Sequence, residues 1–206
     1  MDNASLTQKL NLHALWVKSA EADGCRLNLE YEDLRGLTLP NGTLVGAKLN
    51  SADFRGSNLE HADFTGADLG EADFRDTNLE RSNFSVANLR GARFAGAHLS
   101  NATLERANQQ YADFRDTDLT GATLNEARLM GSNFRRADMN NAILRGVDLG
   151  CADLREANLT RADFAYADLR GANFDGAIVD SKTNFSHAKM DDDSVTTIHH
   201  ILAHSR

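Results

Sequence analysis

The sequence predicts an all-β solenoid: a right-handed quadrilateral parallel β-helix of about eight four-sided coils, with a short α-helix capping each end. Three observations predict it. From about Gly46 to Ala177 the fifth residue is almost always Leu or Phe, as in Ala62-Asp63-Phe64-Thr65-Gly66-Ala67-Asp68-Leu69-Gly70-Glu71-Ala72-Asp73-Phe74. Two places before each stands a small residue, usually Ala, with Asp or Asn commonly between. Compared at a twenty-residue interval, Phe falls on Phe.

A period of five suits neither standard element. On an α-helix each Leu or Phe would drift roughly 140° from the last, so no apolar face would form. On a straight strand an odd period sends successive large residues to opposite faces. The pattern works if the chain turns a corner every five residues. Positions two apart then share a side, so the Leu/Phe centre and the small residue before it both point inward. Four such sides close a coil of about twenty residues, and stacking coils at about 4.8 Å pairs the backbone groups with those above and below.

The residue types agree. A narrow interior holds one large side chain per side, so the second inward position is small: Ala nearly throughout, with Ser57, Thr77, Ser82, Thr117 and Ser132 as polar variants and Val147 the one large exception. Asp and Asn beside the centre suit hydrogen bonds to nearby backbone at the corner. Gly recurs two residues after the centre, but Glu71, Arg81, Tyr111 and Arg161 hold the same place, so the corner is expected not to require a positive φ.

These residues resemble the pentapeptide-repeat family, whose consensus is A(D/N)LXX, over about three-quarters of the chain. The resemblance is specific for fold and unspecific for function. Its quinolone-resistance members imply one activity: they resemble B-form DNA in size and charge, dimerise through a C-terminal element, and bind DNA gyrase or topoisomerase IV.

In chain order, residues 1–24 are expected to form an N-terminal helical cap. Ser5-Leu6-Thr7-Gln8 has the form of a capping box, and Leu6, Leu10, Leu15 and Trp16 form one apolar stripe of a helix ending between Ala20 and Gly24. Such a lid covers the apolar end and unpaired edge of the first coil. Residues 25–190 form the β-helix. Its first coil, from Leu27 and Leu29, is irregular, with Glu32, Leu37 and Gly42 in place of the inward Ala and Pro40 at an outward position near the end. The step from Val179 to Phe185 is one residue too long, which distorts the last coil. Residues 191–206 form a C-terminal helix, a cap or a dimer contact, with Val195, Ile198, Ile201 and Leu202 as its apolar stripe.

Sorting by side gives four internal columns. The first reads Phe54, Phe74, Phe94, Phe114, Phe134, Leu154, Phe174, an internal aromatic stack. On its outer surface Arg35, Arg55, Arg75, Arg115, Arg135 and Arg155 follow the centres, and Asp33, Asp53, Asp73, Asp113 and Asp153 precede them. This face is either a cross-strand charge ladder that keeps the rod soluble or a docking surface for a charged partner. The fourth column is broken by Gln109, followed by Gln110 and Tyr111, with Met130 one coil on and Ile143 outward on the neighbouring side. That zone is either a partner-binding patch or a local bulge with a hydrogen-bonded Gln and scattered surface apolar residues.

The net charge of −8 argues against direct nucleic-acid binding through phosphates. No apolar run reaches membrane-spanning length, and the start lacks the form of a signal peptide. Cys25 and Cys151 lie far apart in the repeat, which fits free thiols and a cytoplasmic protein, and the family resemblance implies a bacterial one. His200 and His204 make an i, i+4 pair without a convincing third metal ligand, and there is no phosphate loop or nucleophile elbow. The expectation is therefore a non-enzymatic scaffold for protein–protein interaction with an unknown protein partner, without cofactor or metal. The alternative is a DNA-mimicking protein that binds DNA gyrase or topoisomerase IV and protects them from topoisomerase poisons. The Arg column counts against mimicry, because a DNA mimic wants lines of uncompensated carboxylates.

Overall fold

The computed structural model describes residues 3–20 and 23–204. Its backbone forms a quadrilateral parallel β-helix. Parallel bridges join residues twenty apart without interruption from Asn28 with Lys48 to Asn158 with Ile178. Each coil is tied to both neighbours: the Leu49 N–H donates to Asp68 O of the next coil at 2.8 Å, and the Lys48 N–H to Leu27 O of the preceding one at 2.9 Å. Each corner is closed by a turn, as where the Ala47 N–H donates to Leu44 O at 3.1 Å. Beyond Val179 the interval becomes twenty-one, Asp163 pairing with Asn184 and Asp168 with Lys189. The extra residue is taken up at Asp180–Thr183, where Asp180 Oδ1 accepts from the N–H groups of Lys182 and Thr183.

The corners correct one sequence expectation. The residue two after each centre is left-handed whether or not it is Gly: φ is 58° at Glu71, 55° at Arg81, 61° at Tyr111 and 58° at Arg161. The corner therefore does require a positive φ. The turn needs that conformation in its third residue to redirect the chain by a quarter circle. A side chain there costs about 1–2 kcal/mol, and interlocking bonds to the next coil hold it, as Tyr111 N–H to Met130 O at 3.1 Å.

The interior is filled as the pattern requires. Phe54, Phe74, Phe94, Phe114 and Phe134 stack face to face at centroid spacings of 5.0, 5.0, 4.9 and 4.8 Å. Across the interior Phe64 and Phe84 stack at 4.7 Å and meet the first column edge-on, Phe64 lying 5.8 Å from Phe74. The edge-on contact is the one favoured by the aromatic quadrupole. The small polar inward residues find backbone carbonyls. Ser57, Thr77 and Thr117 reach back to the preceding coil, donating to Leu34 O, Phe54 O and Phe94 O at 3.0, 2.8 and 2.9 Å.

Helix α1 spans Asn3–Lys18 and α2 spans Asp192–His204. Ser5 lies inside α1, so Ser5-Leu6-Thr7-Gln8 does not cap it; residues 21 and 22, in the stretch where the helix was expected to end, lie outside the described residues. Leu6 and Leu10 pack on the core cluster, whereas Leu15 is exposed. The inward place belongs to His13, which is fully buried and stacks on Trp16 at 5.4 Å. At the other end Asp191 precedes α2 and accepts from the Ser194 N–H at 2.9 Å and the Gly171 N–H at 2.5 Å. Ile198 is buried and Ile201 partly so, while Val195 and Leu202 are exposed.

Candidate functional site

The repeat fixes which outward residues meet. The residues one and two after the centres of the fourth column form two adjacent lines along one edge: Asn50, Gly70, Arg90, Gln110, Met130 and Ser51, Glu71, Gly91, Tyr111, Gly131. Gln109, Gln110, Tyr111 and Met130 therefore belong to one place. Ile143 does not; it bridges Thr123 and Asp163 on the neighbouring face, exposed and apart from the patch.

No bulge surrounds Gln109. The twenty-residue ladder runs through it, the Gln109 N–H donating to Arg128 O at 2.8 Å. Its side chain is fully buried, with Nε2 donating to Leu104 O at 3.3 Å and Oε1 left without a partner. Gln109 is thus a half-satisfied core residue, and it presents nothing to solvent. Recognition chemistry lies beside it. The Tyr111 ring is exposed, the Arg90 guanidinium sits 4.9 Å over it, and Arg90 Nη1 reaches Gln110 Oε1 at 3.4 Å. Gly131 makes room for the ring: a Cβ there would stand 2.9 Å from Tyr111 Cδ1. An open groove of about 460 Å³ continues from Tyr111 to Tyr31 over Gly70 and Gly91, with Asn50, Glu71, Asn88 and Arg90 on its walls. Sequence reasoning missed Arg90, although it stands one coil before Gln110 in the same line.

The charged face is built from pairs inside each coil. Arg35, Arg55, Arg75, Arg115 and Arg155 each fold back onto the Asp two residues before, Nε and Nη2 gripping both carboxylate oxygens, with Nη2–Oδ2 distances of 2.6–2.7 Å. The same Asp Oδ1 caps the corner by accepting the Arg backbone N–H, at 3.2 Å for Asp73 and Arg75. Contacts between coils are longer, 3.9 Å from Arg55 Nε to Asp73 Oδ2. Arg135 departs from the series because Asn133 precedes it; it pairs instead with Glu156 at 2.6 Å. The pairing lowers the carboxyl of Asp53 through the hydrogen bonds of Arg55, and that of Asp33 to about 2 through those of Arg35. At Asp73 and Asp113 burial pushes the other way more strongly than any single contact, yet the Arg bonds together still hold the carboxyls low.

Two family models cover most of the chain: one described as a pentapeptide repeat region matches residues 57–134, and one described as pentapeptide repeats (8 copies) matches residues 28–66 and 152–179. The chain belongs to the pentapeptide-repeat family. Solved pentapeptide-repeat proteins form right-handed quadrilateral β-helices, the architecture seen here. One from Nostoc Pcc 7120 is 33% identical over 46% of this chain and 84% of its own, with a TM-score of 0.41. HetL, from the cyanobacterium Nostoc sp. strain PCC 7120 and involved in heterocyst differentiation regulation, is 27% identical over 85% of this chain and 92% of its own, with a TM-score of 0.25. QnrB1, a plasmid-mediated fluoroquinolone resistance protein, is 18% identical over 88% and 99%, with a TM-score of 0.41. No curated protein matches this pentapeptide-repeat chain.

Among the described residues no three His, Cys, Asp or Glu side chains gather in a metal-binding arrangement, and His204 lies outside the described side chains. No helix among them is long and apolar enough to cross a membrane.

Proposed function

We propose that this pentapeptide-repeat protein is a non-enzymatic, cytoplasmic scaffold that docks a protein partner on the corner edge carrying Arg90, Tyr111 and Met130, with the buried Gln110 behind them. One observation carries the reading: an exposed Tyr under an Arg guanidinium, flanked by Met130 and opening into a groove. Tyr and Arg anchors dominate binding energy at protein interfaces. The β-helix of residues 25–190 supplies rigidity, and about eight coils present the edge. The segments 1–24 and 191–206 act as end caps, with Val195 and Leu202 of α2 available for a homodimer contact. The test is capture of a partner from the native host by the wild type, by Tyr111→Ala and by Arg75→Ala. The reading expects loss with the first variant only; equal capture by all three would place the interface elsewhere.

Topoisomerase binding by DNA mimicry is the weaker reading. Mimicry needs lines of free carboxylates, and the clearest line here, Asp33 to Asp153, is neutralised by its arginines. A gyrase supercoiling assay with a quinolone is expected to show no protection; protection at micromolar protein would reverse the order of the two readings.

A further inference from the structure

Each corner turn is closed by a hydrogen bond from the residue two before a centre to the previous centre's carbonyl: Glu32 N–H to Leu29 O at 3.3 Å, Leu37 N–H to Leu34 O at 3.1 Å. Leu27 is the first residue in that position, and no turn of the solenoid precedes it. Its N–H is instead accepted by His13 Nδ1 of α1 at 3.0 Å. A helix side chain thus supplies the missing turn carbonyl and closes the end of the β-helix.

That bond fixes the protonation state of the ring. Nδ1 can accept only when it carries no proton, so the proton of the neutral imidazole is on Nε2. Nε2 is buried without a partner, and the whole side chain is sealed from solvent against Trp16. A second proton would have to enter at Nδ1, breaking the Leu27 bond and placing a cation in an apolar site. The surrounding charges do not invite one. Arg26, next to Leu27 at the entry to the first coil, repels it; Lys9 on α1 and Glu30 and Glu32 on the first coil line an open crevice on the flank. The Val45 and Cys25 backbone favours the cation, but desolvation outweighs it and the ring's pKa lies below its ordinary value.

We propose that His13 is a pH-sensitive latch: neutral, it pins α1 over the first coil; protonated, it releases α1 and uncovers Leu27, Leu29 and the unpaired backbone edge of that coil. The sign follows from linkage. The ring binds a proton more readily in the released state, so docking is complete above about pH 6.5 and weakens as pH falls from there through the lower docked-state value. The solenoid from Leu44 onward takes no part, since its coils are tied to one another.

The test uses the full chain. Trp16 is the single Trp, so its fluorescence reports α1 alone. Between pH 7.5 and 5 the emission should shift reversibly, and the Leu27 amide should lose at least tenfold in hydrogen-exchange protection while far-UV circular dichroism of the coils holds. His13→Asn keeps an acceptor near Nδ1 but cannot titrate, and should abolish the shift. NMR titration of the His13 ring in the wild type serves if that variant misfolds. Titration at or above pH 6.5 with the Leu27 amide still protected would overturn the latch, as would an unchanged transition in a folded His13→Asn.

Discussion

Arg90 lies 4.9 Å above the ring of Tyr111, one coil away along the same edge. The ring holds the cation out over the groove instead of letting it fold back along its own coil, as the arginines of the charged face do. An exposed pair of this kind contributes about 0.5–1 kcal/mol to stability. Tyr111→Ala should therefore shift urea unfolding by less than about 1 kcal/mol while weakening partner binding at least about tenfold, the range of an interface anchor. Titration calorimetry with the captured partner, beside an unfolding curve, separates the two effects.

Two glycines should respond differently to the same substitution. Gly56 and Gly131 are both left-handed, at φ 64° and 69°, but a Cβ on Gly56 meets nothing within 4 Å whereas one on Gly131 meets the Tyr111 ring at 2.9 Å. Gly56→Ala should cost the backbone term alone, about 1 kcal/mol. Gly131→Ala should cost more and swing Tyr111 off its site, reducing partner binding with no binding residue changed. Thermal unfolding and the same calorimetry read both.

Gln109→Leu should stabilise the protein. Oε1 is buried without a partner and only one bond, to Leu104 O, offsets its desolvation. Replacing it with the side chain that Leu89 and Leu129 already carry in that column removes the penalty, for a gain of about 1–2 kcal/mol. A fall in the denaturation midpoint would mean that an unseen contact satisfies Oε1.

Phe94→Ala should be among the most disruptive single changes. Its ring stacks on Phe74 and Phe114 and meets Phe84 edge-on. The loss is expected at about 3–5 kcal/mol, because a solenoid held open by coils above and below cannot collapse onto the void. Denaturant midpoints of Phe94→Ala and Phe94→Leu should rank in that order of severity.

Acid should act in a separate, lower window through the charged face. The Asp carboxyls there are held below their ordinary value, Asp33 at about 2. A carboxyl lowered in the folded state stabilises above its unfolded pKa, near 3.9, and loses that contribution as pH falls through the folded value. Solenoid stability should thus be flat from pH 7 to about 4.5 and decline between about 4 and 2. Urea midpoints against pH check this, and the window is distinct from the change at α1, which begins as pH falls below about 6.5.

The fold was legible because the repeat restates it every five residues, and the one departure, after Val179, was legible as a break in the count. The corner conformation was not: a mixture of Gly, Glu, Arg and Tyr at one position reads as tolerance, whereas the interlocked coils impose one φ on all of them. The caps were harder still, for they have no repeat to check against. Leu15 fits the helical stripe better than His13 by hydrophobicity, yet His13 is inward because the coil end offers a backbone N–H that needs an acceptor, which Leu lacks. At the candidate site the count puts Gln109, Gln110, Tyr111 and Met130 on one edge, and Ile143 lies on the neighbouring face. Arg90 escaped because a lone Arg in a charged sequence has no signature until its neighbour one coil on is known.

Five arginines of the charged face, Arg35, Arg55, Arg75, Arg115 and Arg155, hold the carboxylate of their own coil, and Arg135 reaches Glu156 of the next. Each of those five pairs is therefore complete within one turn of the rod. Whole coils of about twenty residues can be duplicated or deleted without splitting any of these five pairs, so the length of such a rod is free to drift while the character of this face stays the same.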